Sequence, residues 1–165
     1  MSISLHPESL SRDSFAPYGD VIESAGESTA AMNAARFERF DDLCTPDMQD
    51  NARVAVSIAR CLVANTLPYR IDMVERHPLG SQAFVPLTPA KMVVVVAAPG
   101  DSVRASDLRA FVTNGRQGIN YHRGTWHMPL IAFTAGQEFL IIDRVADVSN
   151  CDQCSLDETV MLLEA

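Results

Sequence analysis

Lys91-Met92-Val93-Val94-Val95-Val96-Ala97-Ala98-Pro99-Gly100 is the stretch on which the fold reading turns. Valine is branched at Cβ, which stiffens χ1 and suits a pleated strand better than a helix. Successive strand side chains point to opposite faces, so an unbroken run of valines predicts a strand covered on both sides. The apolar run from Met92 to Pro99 is far shorter than the roughly 20 residues a membrane helix needs.

Working outward, other segments alternate as strands do. Arg53 to Val63 places Val54, Val56 and Ile58 on one parity, and Tyr69 to Arg76 places Ile71 and Met73 on one parity. Asp20 to Glu23, Arg36 to Phe40, Glu138 to Arg144 and Glu158 to Leu163 read as further strands. Pro7 to Phe15 reads as a short helix, with Pro7 in the first turn and Pro17 closing it. Ala25 to Ala31 reads as a loop. Ala105 to Thr113 fits either a pair of helical turns or an irregular connector. Short strands joined by turns containing Pro and Gly predict an all-β barrel or sandwich. No GxGxxG or phosphate-loop pattern occurs.

The 165 residues suit one domain, residues 1–165, and 47% of them are hydrophobic, enough to bury a core. A net charge of −8 disfavours a nucleic-acid partner. Met1 to Glu8 has neither a basic stretch nor an apolar core of the secretory kind, so a cytoplasmic protein without a membrane anchor is expected. Cys44, Cys61, Cys151 and Cys154 are then expected as thiols. Cys151-Asp152-Gln153-Cys154 has no second pair to complete a zinc site and reads as a polar turn before the last strand.

Chemistry concentrates in two segments. In Glu75-Arg76-His77-Pro78-Leu79-Gly80-Ser81-Gln82, Glu75 and His77 share strand parity, and Gln82 follows a turn that can fold back beside them. In Asn120-Tyr121-His122-Arg123-Gly124-Thr125-Trp126-His127-Met128, two histidines lie within a few residues of a tyrosine, an arginine and the single tryptophan. Polar groups beside apolar walls are what a small-molecule site needs.

The two segments resemble the paired motifs of cupins. Glu75 and His77 stand where the first motif has two histidines, and Gln82 stands at its glutamate. His122-Arg123-Gly124-Thr125-Trp126-His127 matches the second motif, with His122 in place of proline. That resemblance implies a double-stranded β-helix barrel of the cupin type with a few short helices. Nearly the whole chain also resembles bacterial ureidoglycolate lyases. Ala16 to Glu23, Val74 to Phe84, Leu108 to Phe111, Gln117 to Arg123, Trp126-His127, Phe139 to Arg144 and Asn150-Cys151 carry the likeness.

The resemblance implies a lyase that splits ureidoglycolate into glyoxylate and urea, in purine (allantoin) nitrogen catabolism, as a homodimer. His77, His127, Gln82 and His122 are then the catalytic candidates. Arg123, Arg76, Tyr121 and Asn120 are the candidates for substrate contacts. His77 and His127 serve as the acid–base pair or as metal ligands, and Gln82 orients the urea. Arg123 is preferred to Arg76 as the carboxylate clamp, because Arg76 has the opposite parity to His77. Glu75, His77, Gln82 and His127 predict weak or optional binding of a divalent metal, Ni²⁺ or Mn²⁺, the alternative being no cofactor. Rival readings are a cupin amidohydrolase or metal oxygenase, or a ligand-binding cupin without catalysis. Met128 departs from the histidine that relatives often carry there. Its side chain is expected to face away from the His127 site.

Overall fold

The computed structural model describes residues 2–164, and strands make up nearly all of its regular secondary structure. In chain order the strands open with β1 (Ser2–Leu5), β2 (Glu8–Ser9), β3 (Gly19–Ile22), β4 (Ala30–Met32) and β5 (Phe37–Arg39). Then come β6 (Arg53–Arg60), β7 (Tyr69–Arg76), β8 (Gln82–Pro86), β9 (Met92–Ala97) and β10 (Arg109–Val112). The last are β11 (Gly118–Tyr121), β12 (Trp126–His127), β13 (Ile131–Ala132), β14 (Glu138–Val145) and β15 (Asp152–Leu162). No helix among the described residues is long and apolar enough to cross a membrane.

Two sheets face each other and curl around the core. The first has the order β1-β15-β7-β12-β9-β10-β2, with β13 also on β9, and the second has the order β3-β11-β8-β14-β6. All six residues of β9 are buried, as the valine run predicts. Met92, Val94 and Val96 pack inward against Phe84, Ile119, Tyr121 and Phe139 of the second sheet. Val93, Val95 and Ala97 pack on the other side with Val74, Trp126 and Leu108.

The helix is shorter than the sequence suggests. Only Arg12–Phe15 is helical, with the Ser11 side chain accepting from Ser14 N. Glu8–Ser9 instead pairs with β10, and Leu10 N donates to Val112 O at 2.9 Å. A strand edge is the better outlet for those backbone groups, so tertiary pairing overrides local preference. Ala105 to Thr113 meets neither reading in full: a single 3₁₀ turn forms at Ala105–Asp107, and Arg109–Val112 is strand β10, held by pairing with β9. The end of the expected Ala25 to Ala31 loop enters a small hairpin of β4 and β5. On β6, Val54, Val56 and Ile58 point outward, 52%, 66% and 59% exposed, at the edge of the second sheet.

Two chain crossings at one end of the barrel build the site. After β7 the chain passes through His77 to Gly80 and enters the second sheet as β8. After β11 it turns at residues 122–125 and returns to the first sheet as β12. Gly124, at φ +79°, allows that sharp turn, and its N–H donates to His77 O at 2.9 Å, tying the crossings together.

Candidate functional site

His127 lies opposite Glu75 in the register of β12 and β7 and is 2% exposed. Its Nδ1–H donates to Thr125 O at 2.9 Å, which places the lone pair on Nε2. The ring stacks on Tyr121, with centroids 4.3 Å apart and planes 14° apart. Nε2 sits 3.7 Å from Glu75 Oε1 and makes no hydrogen bond. Burial pulls the imidazole pKa down to about 4; His77 adds to this and the Thr125 bond opposes it. His127 is therefore neutral at pH 7 and acts as an acceptor.

His77 repeats the arrangement from the other crossing. Its Nδ1–H donates to Asn150 O at 2.6 Å, and its buried Nε2 is left without a partner. Asn150 Oδ1 accepts from Leu79 N at 2.6 Å, so Asn150 fastens the segment on both sides of Pro78. The two imidazole centroids are 5.1 Å apart. One donor atom each from Glu75, His77 and His127 lie within 4.8 Å of one another. Bare Nε2 atoms on rings whose Nδ1–H groups are tied to carbonyls are how imidazoles are held for a metal. The three residues therefore fit a divalent cation and leave further positions open.

Beside them is a cavity of about 210 Å³, lined in part by His77, Gln82, Asp143, Asn150 and Cys151. Gln82 arrives from the second sheet rather than folding back beside Glu75. Its Nε2 donates to Asp143 Oδ2 at 3.3 Å, leaving Oε1 as its only atom for a metal. Cys151 Sγ donates to Glu75 Oε2 at 3.5 Å, and burial, then Glu75, hold its thiol pKa up. The Cys151 to Cys154 stretch is not the expected turn: Asp152, Gln153 and Cys154 already belong to β15, paired with Arg76, Glu75 and Val74, so Cys151 alone precedes the strand and reaches the site, whereas Cys154 packs against the core.

Several sequence candidates face elsewhere. Arg76 pairs with Asp152 at 2.9 Å, donates to Gly100 O and lies 4.7 Å over the Trp126 ring. It braces the opposite face of β7 and is no carboxylate clamp. His122 lies outside the cavity, bonded to Asp20 at 3.1 Å and 44% exposed, because four residues that include a turn separate it from His127. Asn120 is also on the outer face and donates to Asp20 Oδ2 at 2.9 Å. Tyr121 faces inward with a buried hydroxyl whose pKa is raised by burial and Glu75, so it stays protonated. Arg123 is bound to Asp47 at 3.1 Å, and the backbone of Asp47 bonds Ser81 of the cavity wall from both sides. Met128 packs into the opposite core, as parity predicts.

Asp143, Asn150 and Cys151 were not legible as site residues. Asp143 carried a signal, since it shares parity with the core residues Phe139 and Ile141 on β14. The other two precede β15 in an irregular connector that no periodicity marks.

A family model described as Ureidoglycolate lyase matches residues 2–163. Curated proteins named Ureidoglycolate lyase are similar throughout. One from Pseudomonas syringae pv. syringae is 43% identical over 94% of this chain and 92% of its own. One from Azotobacter vinelandii is 45% identical over 94% of each chain. One from Burkholderia mallei is 46% identical over 95% of this chain and 92% of its own. Among solved structures, a 3,4-ketoisomerase from Helicobacter canadensis gives a TM-score of 0.35 at 13% identity, over 59% of this chain and 62% of that one.

Proposed function

The chain belongs to the ureidoglycolate lyase family, and on that premise we propose that its barrel site cleaves ureidoglycolate to glyoxylate and urea. One observation carries the reading: His77 and His127 converge from two chain crossings, each with Nδ1 tied to a carbonyl and Nε2 bare.

The substrate carbon bears a hydroxyl, a carboxylate and the ureido nitrogen. His77 Nε2, at the cavity, takes the hydroxyl proton. The O–H electrons form the aldehyde C=O, and the C–N pair leaves on nitrogen. The imidazolium of His77 returns the proton to that nitrogen, so urea departs neutral and no water is consumed. One imidazole suffices because oxygen and nitrogen share one carbon, and an imidazole ring can both accept and return a proton. His127 stays neutral and accepts a hydrogen bond from the substrate, so the pair divides the work differently from a simple acid and base. Gln82 orients the ureido group. Arg123 takes the carboxylate in exchange for Asp47.

A second reading is favoured by the three donors within 4.8 Å: Glu75, His77 and His127 hold a divalent metal, Ni²⁺ or Mn²⁺, with Gln82 Oε1 as a weak fourth. A bound metal would act as a Lewis acid toward substrate oxygens. Metal analysis of the purified protein, with activity before and after chelation, separates the readings.

The enzyme is further proposed to be a cytoplasmic homodimer. Four free cysteines fit a reducing compartment, and the exposed Val54, Val56 and Ile58 row on an edge strand suits two-fold pairing. A monomer mass by light scattering at micromolar concentration would rule the dimer out. The deciding assay for function incubates racemic ureidoglycolate with the protein and quantifies urea and glyoxylate against uncatalysed decay. Ammonia in place of urea would identify an amidohydrolase instead.

A further inference from the structure

We propose that Asp143, with Gln82, recognises the urea end of the substrate and fixes which way it lies in the cavity; this rests on the lyase reading above. Three observations carry it. Asp143 lines the cavity that holds His77, on the same inward parity of β14 as Phe139 and Ile141. Gln82 lines it too and lies opposite Tyr121 in the register of β8 and β11. Asp143, Gln82 and Tyr121 thus form a row across the second sheet that ends on the ring of His127.

The contact between Gln82 and Asp143 decides the chemistry. An ionised carboxylate only accepts hydrogen bonds, so the Gln82 amide must turn its NH₂ toward Asp143 and its Oε1 away. The second oxygen of Asp143 and the Gln82 Oε1 are then left as acceptors. A ureido group presents N–H donors, and a carboxylate presents none. Acceptors with a negative charge draw the first and repel the second. The substrate is sorted by charge, with its NH₂ end on Asp143 and its carboxylate turned away from that residue. Its reacting carbon then falls near His77.

The test is product inhibition. Wild type and Asp143→Asn are assayed with ureidoglycolate while urea or glyoxylate is added, following the other product. Asn offers one acceptor and one donor where Asp offered only acceptors. Inhibition by urea is expected to weaken roughly tenfold or more, the scale of a lost charged hydrogen bond, while inhibition by glyoxylate stays within about twofold. Equal weakening of both, or no weakening of either, overturns the assignment. If Asp143→Asn does not fold, judged by its melting curve, Gln82→Met carries the same test. It keeps the carboxylate and removes the amide, and the same split between urea and glyoxylate is expected. A wild type that releases no urea overturns the lyase reading and this assignment together. An active wild type with unmoved urea inhibition in the variant overturns this assignment alone.

Discussion

His122 and His127 lie five residues apart in one segment and have opposite fates. His127 is buried, stacked on Tyr121 and neutral, with a bare Nε2 facing Glu75. His122 is half exposed on the outer side of the second sheet and spends its Nε2 on Asp20. The turn between them moves the chain from one sheet to the other. Whether a histidine here is buried against Glu75 or exposed beside Asp20 is set by the face and sheet it lands on.

The strongest way to break this contrast is to remove each ring in turn. His127→Ala is expected to lower kcat for urea release by roughly 10²-fold or more, and His77→Ala by a similar factor. Both variants should keep the fold in melting experiments. A His127→Ala enzyme with near-normal turnover would refute the site.

Acid stability sharpens the contrast. The unfolded His127 has the ordinary value of about 6.5, and the folded one about 4. Below pH 6.5 the unfolded chain takes up the proton first, so the folded state loses stability as pH falls toward 4. The full loss is on the order of 3 kcal/mol. Urea melts between pH 7 and 4 should show a shallower decline for His127→Gln than for wild type.

A smaller effect is expected from Glu75→Gln. If the three donors hold a metal, isothermal titration with Ni²⁺ should show affinity reduced by roughly tenfold or more, as loss of a charged ligand costs at least what loss of an outer partner does. An unchanged affinity would remove Glu75 from the ligand set.

The smallest effects belong to the residues on the far side. His122→Ala should leave kcat within about threefold. Met128→His should change it no more, because that side chain packs in the opposite core. A large gain from Met128→His would show that the site had been weakened in this chain and that parity misplaces residue 128.

Not all regions were equally legible. The β9 strand announced itself, because four valines have no other economical reading and both faces are covered as required. The β6 strand alternates just as clearly, yet its valines and isoleucine point outward and only its small residues Ala55 and Ala59 are partly buried. Alternation gives two faces without saying which is inside. The β8 and β11 strands have only five and four residues, too few to show a period of their own. Their pairing with neighbours, rather than their own pattern, makes them strands.

The sequence by itself determined the all-β class, the central buried strand, the pairing of Glu75 with His77 by parity and the turning of Met128 away from the His127 site. Its likeness to ureidoglycolate lyases was legible too. These follow from periods of two residues and from local side-chain chemistry, which act over a few positions. Only the tertiary structure decided that Gln82 comes from the opposite sheet, that His122 and Arg76 leave the site, and that Asp143, Asn150 and Cys151 enter it. Those outcomes depend on where two crossings and the connector before β15 bring distant segments together. The backbone of Asn150 reaches His77 across 73 positions. No local pattern encodes a contact of that separation; it exists only once both sheets have closed around one core.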